Sequence, residues 1–224
     1  MMSRANGTTA DDALTLVLEA ATSEGSVAVF RGGLVVADRT VAMRDAHEDR
    51  LMPAVVAALG DAGARARDVA RIVCGAGPGS FTSLRIAASI AKGVATVARM
   101  PVYAVSSLTL AAAEHANATS DGRIVVALDA LRGEVFVAAF EVHSGSLVEL
   151  RAPAMLTVAA ADEFAASLGT ARVNAKPHAR AAARVLDEIL ATSPIDLATW
   201  EPAYGRKAEA QVRWEAAHGR PLTA

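Results

Sequence analysis

Two stretches of this chain repeat one order of apolar runs and turns, and that duplication restricts the fold more than any single residue does. From Leu14 the sequence reads as a strand (Leu14–Leu18), a polar turn (Glu19–Gly25), a strand (Ser26–Phe30), a glycine turn at Gly32–Gly33 and a strand (Leu34–Thr40). From Ile124 the order returns as strand (Ile124–Leu128), turn (Asp129–Gly133), strand (Glu134–Glu141), a turn at Ser144–Gly145 and strand (Leu147–Leu150). Glu19 and Asp129, the acids that close the first strand of each set, stand 110 positions apart. Each set is a β-meander, so each half is expected to build one lobe.

The residues between and after the meanders alternate helix and strand. Helical stretches are predicted over His47–Leu59, Ser80–Arg99 and Leu108–Ala118, with strands at Arg71–Cys74 and Val102–Val105. Beyond Leu150 the pattern predicts strands at Arg151–Met155 and Ala171–Ala175, helices at Thr157–Leu168 and Pro177–Ala191, and a closing helix over Arg206–Ala217. Meanders followed by alternating elements define an α/β protein with mixed sheets. The expected division is a disordered leader over residues 1–12, a first lobe over 13–105, and a second lobe over 106–224 whose closing helix packs back on the body. Trp200, Tyr204 and Trp214 are the aromatic anchors available to fasten that tail.

A glycine-dense turn, Gly75-Ala76-Gly77-Pro78-Gly79-Ser80, joins the strand at Arg71 to the long helix. Glycines there permit positive φ and close backbone approach, and Ser80 or Thr82 can cap the helix amides. A helix start also attracts anions, which makes Gly77, Gly79 and Ser80 candidate binding positions. The established phosphate and nucleophile motifs nevertheless fail on this loop. A P-loop needs a lysine directly after its last glycine, and the first lysine here is Lys92. A dinucleotide fingerprint needs a third glycine that the loop lacks, and Pro78 and Thr82 replace the two glycines of a hydrolase elbow around Ser80. Ser80 therefore reads as a helix cap.

The balance of charge narrows the partners. With 22 basic and 24 acidic residues the net charge is −2, which argues against this chain alone gripping a nucleic-acid backbone. No apolar run approaches a membrane span, and the polar start lacks the layout of a signal peptide. The single cysteine, Cys74, excludes an intrachain disulfide and suits the cytoplasm. The five histidines, His47, His115, His143, His178 and His218, show no metal-ligand spacing. Glu19 and Asp129 form the best carboxylate pair, placed at strand ends to face a cleft and hold magnesium or a water; the competing reading makes them turn residues bonding nearby amides.

Two helices carry faces that need cover. Leu51, Val55, Ala58 and Leu59 make one apolar stripe, which packs on a sheet or on a partner. The helix after the glycine loop is rich in small residues: Ser83, Ala87, Ala88, Ser89, Ala91, Gly93, Ala95 and Ala98. Such a helix admits close approach by the chain's own sheet or by a second subunit, and sequence leaves both open.

The segment Gly77-Pro78-Gly79-Ser80-Phe81-Thr82-Ser83-Leu84-Arg85-Ile86 resembles the G-P-G-S-F-T-G-[LV]-R-I-G signature of the TsaB (YeaZ) family, within the actin-like ATPase superfamily. Family-like segments also occur at Glu19-Ala20-Ala21-Thr22, at His47 ahead of Leu51 and Pro53, at Asp129-Ala130-Leu131-Arg132-Gly133-Glu134-Val135, and at Glu201-Pro202-Ala203-Tyr204-Gly205-Arg206. Departures are Glu19 in place of an aspartate, Ser83 and Ala87 in place of the final glycines, and Val173-Asn174-Ala175-Lys176-Pro177 in place of a glycine-containing segment. The resemblance implies two actin-like (ribonuclease-H-like) lobes, the second shortened. It implies an accessory, non-catalytic subunit in the synthesis of threonylcarbamoyladenosine in tRNA. Its expected partners are a TsaD-type transferase, a TsaE-type ATPase and, in isolation, a second copy, with tRNA reached only through the complex. No cofactor is expected in the chain alone, and ATP or ADP would belong to the partner interface. The helices of the first lobe are the implied docking elements, so Leu51, Val55, Leu84, Ala87, Ala88, Ala91 and Ala95 are the expected partner-binding residues. The alternative is an ATP-dependent kinase or hydrolase with Glu19 and Asp129 in its cleft.

Overall fold

The structure, a computed structural model, describes residues 12–43, 50–116, 121–144, 146–206 and 209–219. The expected leader lies outside them except for Asp12, as does His47. The elements are β1 (Leu14–Glu19), β2 (Glu24–Arg31), β3 (Leu34–Ala42), α1 (Leu51–Asp61), β4 (Val69–Gly75), α2 (Phe81–Ala98), β5 (Val102–Val105), α3 (Ser107–Ala116), β6 (Gly122–Leu131), β7 (Glu134–His143), β8 (Ser146–Thr157), α4 (Val158–Ser167), β9 (Arg172–Asn174), α5 (Leu186–Leu190) and α6 (Glu209–His218).

Two mixed sheets result. The first runs β3-β2-β1-β4-β5 and the second β8-β7-β6-β9. In each, a meander pairs antiparallel and its first strand takes a parallel neighbour, β1 with β4 and β6 with β9. The duplicated pattern in the sequence is therefore a duplicated topology, with the second copy one strand shorter.

The first sheet is covered on both faces, which is why β1, β2 and β4 read as continuous apolar runs instead of alternating ones. Leu14, Leu16 and Leu18 of β1, with Val27, Val29, Ile72 and Cys74, face α1 and α2. Val17, Ala28, Phe30 and Val73 point the other way. They are roofed by α3 and by a later segment in which Ala179, Ala182, Leu186 and Ile189 are buried. Residues 177–191, expected as one helix, form a 3-10 helix at Ala179–Arg184 and then α5, broken where Val185 has φ −126°. The break lets the alanines lie flat on the first sheet while Leu186 and Ile189 fill its edge.

The second sheet buries Val126, Leu128, Phe136, Ala138 and Phe140 toward α3 and Leu84. Its outer face, Val125, Ala127, Val135, Val137 and Ala139, is covered by Ala161 and Ala165 of α4. Thr157 caps α4 by accepting a hydrogen bond from the Ala160 amide at 3.3 Å. The strand expected at Arg151–Met155 continues β8 without a break.

Candidate functional site

The glycine loop is filled by the protein's own atoms. Gly75 lies against the Glu19 carboxylate, Gly79 against the backbone of Ala21, and a Cβ at Gly77 would come within 2.5 Å of the Ala203 oxygen. Gly77 also has φ +85°, a conformation that favours glycine. Close approach by the chain itself accounts for all three glycines, so their presence carries no separate argument for a bound phosphate. Ser80 occupies the helix-cap position, yet its hydroxyl pairs with Ser83 Oγ at 2.9 Å and caps no amide.

Asp129 lines the cleft between the lobes, whereas Glu19 is buried and is not among the cleft's lining residues. Glu19 is 1% exposed. Its carboxylate accepts from the Ala21 amide at 2.6 Å and from the Ser107 hydroxyl at 2.9 Å. Ser107 Oγ in turn accepts from the Gly77 amide at 3.1 Å, and the Ser107 amide donates to the Gly77 oxygen at 2.8 Å. The extra methylene of glutamate over aspartate lets this carboxyl fold back onto Gly75 and tie the loop to the start of α3. Burial pushes its pKa up to about 7, against the opposing pull of its hydrogen bonds. Asp129 accepts from the Leu131 amide at 2.8 Å, bracing a turn in which Leu131, Arg132 and Gly133 all have positive φ. It acts locally, as the turn reading anticipates.

A cleft of about 840 Å3 lies between the lobes, lined by Thr22, Ser80, Phe81, Asp129, Phe136, Arg172, Lys176, Tyr204 and Arg206 among others. Its basic residues are engaged by the protein. Arg172 pairs with Asp162 at 2.8 Å, Lys176 with Glu24, and Arg206 donates to the Ala130 oxygen at 2.6 Å. Among the described residues no three histidines, cysteines or acids cluster as a metal site. Cys74 is buried, and desolvation drives its thiol far above the reactive range. His178 shares a hydrogen bond with Thr40 Oγ1 at 2.9 Å, and burial lowers its pKa.

The expected partner-binding residues are all core. Leu51, Val55, Leu84, Ala87, Ala88, Ala91 and Ala95 are each 5% exposed or less. The correction has a simple physical cause: Leu84, Ala87, Ala88, Ala91 and Ala95 form one stripe, and the small side chains let α2 lie close against β1 and β4. The outward stripe of α2 is Thr82, Arg85, Ser89, Gly93, Thr96 and Val97, and that of α1 includes Met52, Pro53, Val56, Ala57 and Gly60. Val97 is 87% exposed and Val56 60%. A Cβ at Gly60 or Gly93 would meet nothing within 4 Å, so the backbone is bare at both positions.

Sequence reasoning also missed a strap. Residues 195–206 cross the first lobe: the Ile195 amide donates to the Val102 oxygen at 2.8 Å, and Lys92 Nζ to the Trp200 oxygen at 2.5 Å. The Ala203 amide then donates to the Ala76 oxygen at 2.8 Å, and Gly205 lies against Phe136 of the second lobe. Trp200 and Tyr204 anchor this strap as their aromatic character suggests, whereas Trp214 stacks on His218 of its own helix. The strap is admitted at close range by two glycines, Gly77 against Ala203 and Gly205 against Pro78 and Phe136.

Two meander-based lobes, a shared cleft and a glycine turn entering α2 define a protein of the actin-like class. Residues 40–185, more than half of the chain, match the family described as TsaD, tRNA N6-adenosine threonylcarbamoyltransferase. The chain is 35% identical over 124 residues to the tRNA threonylcarbamoyladenosine biosynthesis protein TsaB of Bacillus subtilis, covering 55% of this chain and 53% of that one. It is 35% identical over 126 residues to the protein of that name from Escherichia coli, covering 56% and 54% respectively. The chain thus spans about half the length of the curated relatives it matches. Among solved structures, YeaZ from Pseudomonas aeruginosa superposes with a TM-score of 0.73 at 26% identity, over 86% of this chain and 99% of that one. The chain belongs to this family and, within it, to the TsaB (YeaZ) branch.

Proposed function

We propose that this chain is a non-catalytic subunit in the synthesis of N6-threonylcarbamoyladenosine in tRNA, docking and activating a TsaD-type transferase in the cytoplasm. The observation that carries the reading is the outward side of α1 and α2, where Met52, Val56 and Val97 are exposed beside bare backbone at Gly60 and Gly93. Exposed apolar side chains flanking small residues suit a helix packing closely from a second protein. The biosynthetic role is supported by the names of the relatives from B. subtilis and E. coli. In this reading the lobes divide near residue 105, and the same face serves a homodimer when no transferase is present. A TsaE-type ATPase joins the assembly, tRNA is reached through it, and any ATP or ADP belongs to the joint surface.

An ATP-dependent reaction in the cleft finds less support. Glu19 is folded away from it, and the glycine loop is occupied by Ala21 and Ala203. The test is to co-express the chain with a TsaD-type protein from the same organism, purify by a tag on one, and ask whether the other is retained. Absence of retention, combined with ATP turnover by the isolated chain, would replace the reading with the enzymatic one.

A further inference from the structure

Arg85 projects from the outward stripe of α2 beside Phe81 and Tyr204, which line the cleft, and its guanidinium is held in place by these two residues. Its Nε–H donates to the Tyr204 hydroxyl at 3.0 Å, and that hydroxyl donates to Glu201 Oε2 at 2.8 Å. The guanidinium carbon lies 4.3 Å from the centroid of the Phe81 ring and 5.5 Å from that of Tyr204. The two rings are themselves 4.4 Å apart at an angle of 43°. This clamp uses one N–H of five. Among the described residues the two terminal nitrogens make no hydrogen bond or ion pair, and the side chain is exposed.

An exposed arginine ordinarily loses much side-chain freedom when it docks; one already stacked and anchored through Nε loses less. The free edge of such a fork matches a planar carboxylate with two parallel hydrogen bonds. The surroundings choose among anions. Glu201 lies near enough to act on the fork's charge, so it opposes any incoming anion and a multiply charged chain of phosphates most, while a singly charged carboxylate meets the least repulsion. Arginine with tyrosine and phenylalanine is also the composition of an interface hot spot.

We propose that Arg85, braced by Phe81, Tyr204 and Glu201, is a preformed receptor for an aspartate or glutamate side chain of a partner protein. This rests on the reading of α1 and α2 as the docking face, in whose stripe Arg85 stands, and names the ion pair that fixes the partner's register along it.

The test is calorimetric titration of the full chain with the TsaD-type protein of the same organism. Arg85→Gln is expected to weaken binding by about tenfold to a hundredfold. Arg85→Lys, which keeps charge and loses the fork, should fall between it and the wild type, and Tyr204→Phe should weaken binding several-fold while the melting temperatures of the Arg85 variants stay unchanged. Wild-type binding that Arg85→Gln leaves unaltered would overturn the receptor and spare the docking reading. Full retention by Arg85→Lys would overturn the bidentate carboxylate. No binding by the wild type would remove both. If instead the isolated chain bound a single-stranded RNA oligonucleotide through Arg85, the site would belong to phosphate and the inference would fall.

Discussion

Glu19 and Ser107, at the end of one strand and the start of a helix 88 residues later, share a hydrogen bond of 2.9 Å from which water is excluded. Among the described residues no cation acts on this carboxyl; its partners are two backbone amides and a hydroxyl, with buried Cys74 beside it. The fold therefore favours the free acid. The stabilisation is fully present below the ordinary value of 4.5 and is lost as pH rises through about 7. The shift corresponds to about 3 kcal/mol. Glu19→Gln should remove this dependence. Urea unfolding of both forms at several pH values measures it: the variant should gain on the wild type between pH 5 and 8, and parallel curves would refute a titrating Glu19.

The two faces of α2 predict opposite outcomes for one substitution. Ala91→Arg forces a charge into a fully buried position against the first sheet and should cost about 3–5 kcal/mol or prevent folding. Gly93→Arg points into open space and should leave the melting temperature within a few degrees while abolishing partner retention. A folded Ala91→Arg protein would show that the inward face is wrongly identified.

Gly77→Ala should loosen the strap. The new Cβ meets the Ala203 oxygen in a conformation with φ +85°, at a cost of about 1–3 kcal/mol. Hydrogen exchange at the Ala203 amide, bonded to Ala76, should accelerate more than exchange in β1. Equal acceleration in both would mean that the strap and the sheet open together.

Phe30→Ala probes the roof over the first sheet. Phe30 is completely buried beneath Ala179, Ala182 and Leu186. Its loss should cost about 3–5 kcal/mol. Denaturant titration should show the transition moving as one. A separate early loss of structure in residues 177–191 would mean that this segment is an independent layer.

Both meanders were legible because their strands alternate with turn chemistry. Gly32–Gly33 and Asp129–Gly133 mark the hairpins, and strand ends differed by a few residues. The helix at Phe81 was equally plain. Its orientation was harder to read, because small residues lie on both of its faces; the decisive cue was that Leu84 shares its stripe with Ala87, Ala91 and Ala95, whereas Arg85 shares its own with Ser89 and Gly93. The bond between Glu19 and Ser107, and the clamp of Arg85 by Tyr204, join residues 88 and 119 positions apart. Neither follows from local periodicity, since each exists only after the lobes have met. The predicted helix at Pro177–Ala191 failed for a related reason: local propensity favours one continuous helix, and contact with the first sheet breaks it at Val185.

The roof over the first sheet also orders events at the ribosome. Residues 179–189 complete the cover over Val17, Ala28, Phe30 and Val73 that α3 begins, so the apolar underside of the earliest strands stays partly uncovered until that later segment has been made. The N-terminal half cannot complete its fold as it emerges, as a self-contained domain would. Until then it presents an apolar sheet surface, the kind of transiently exposed surface that makes incomplete folds prone to association.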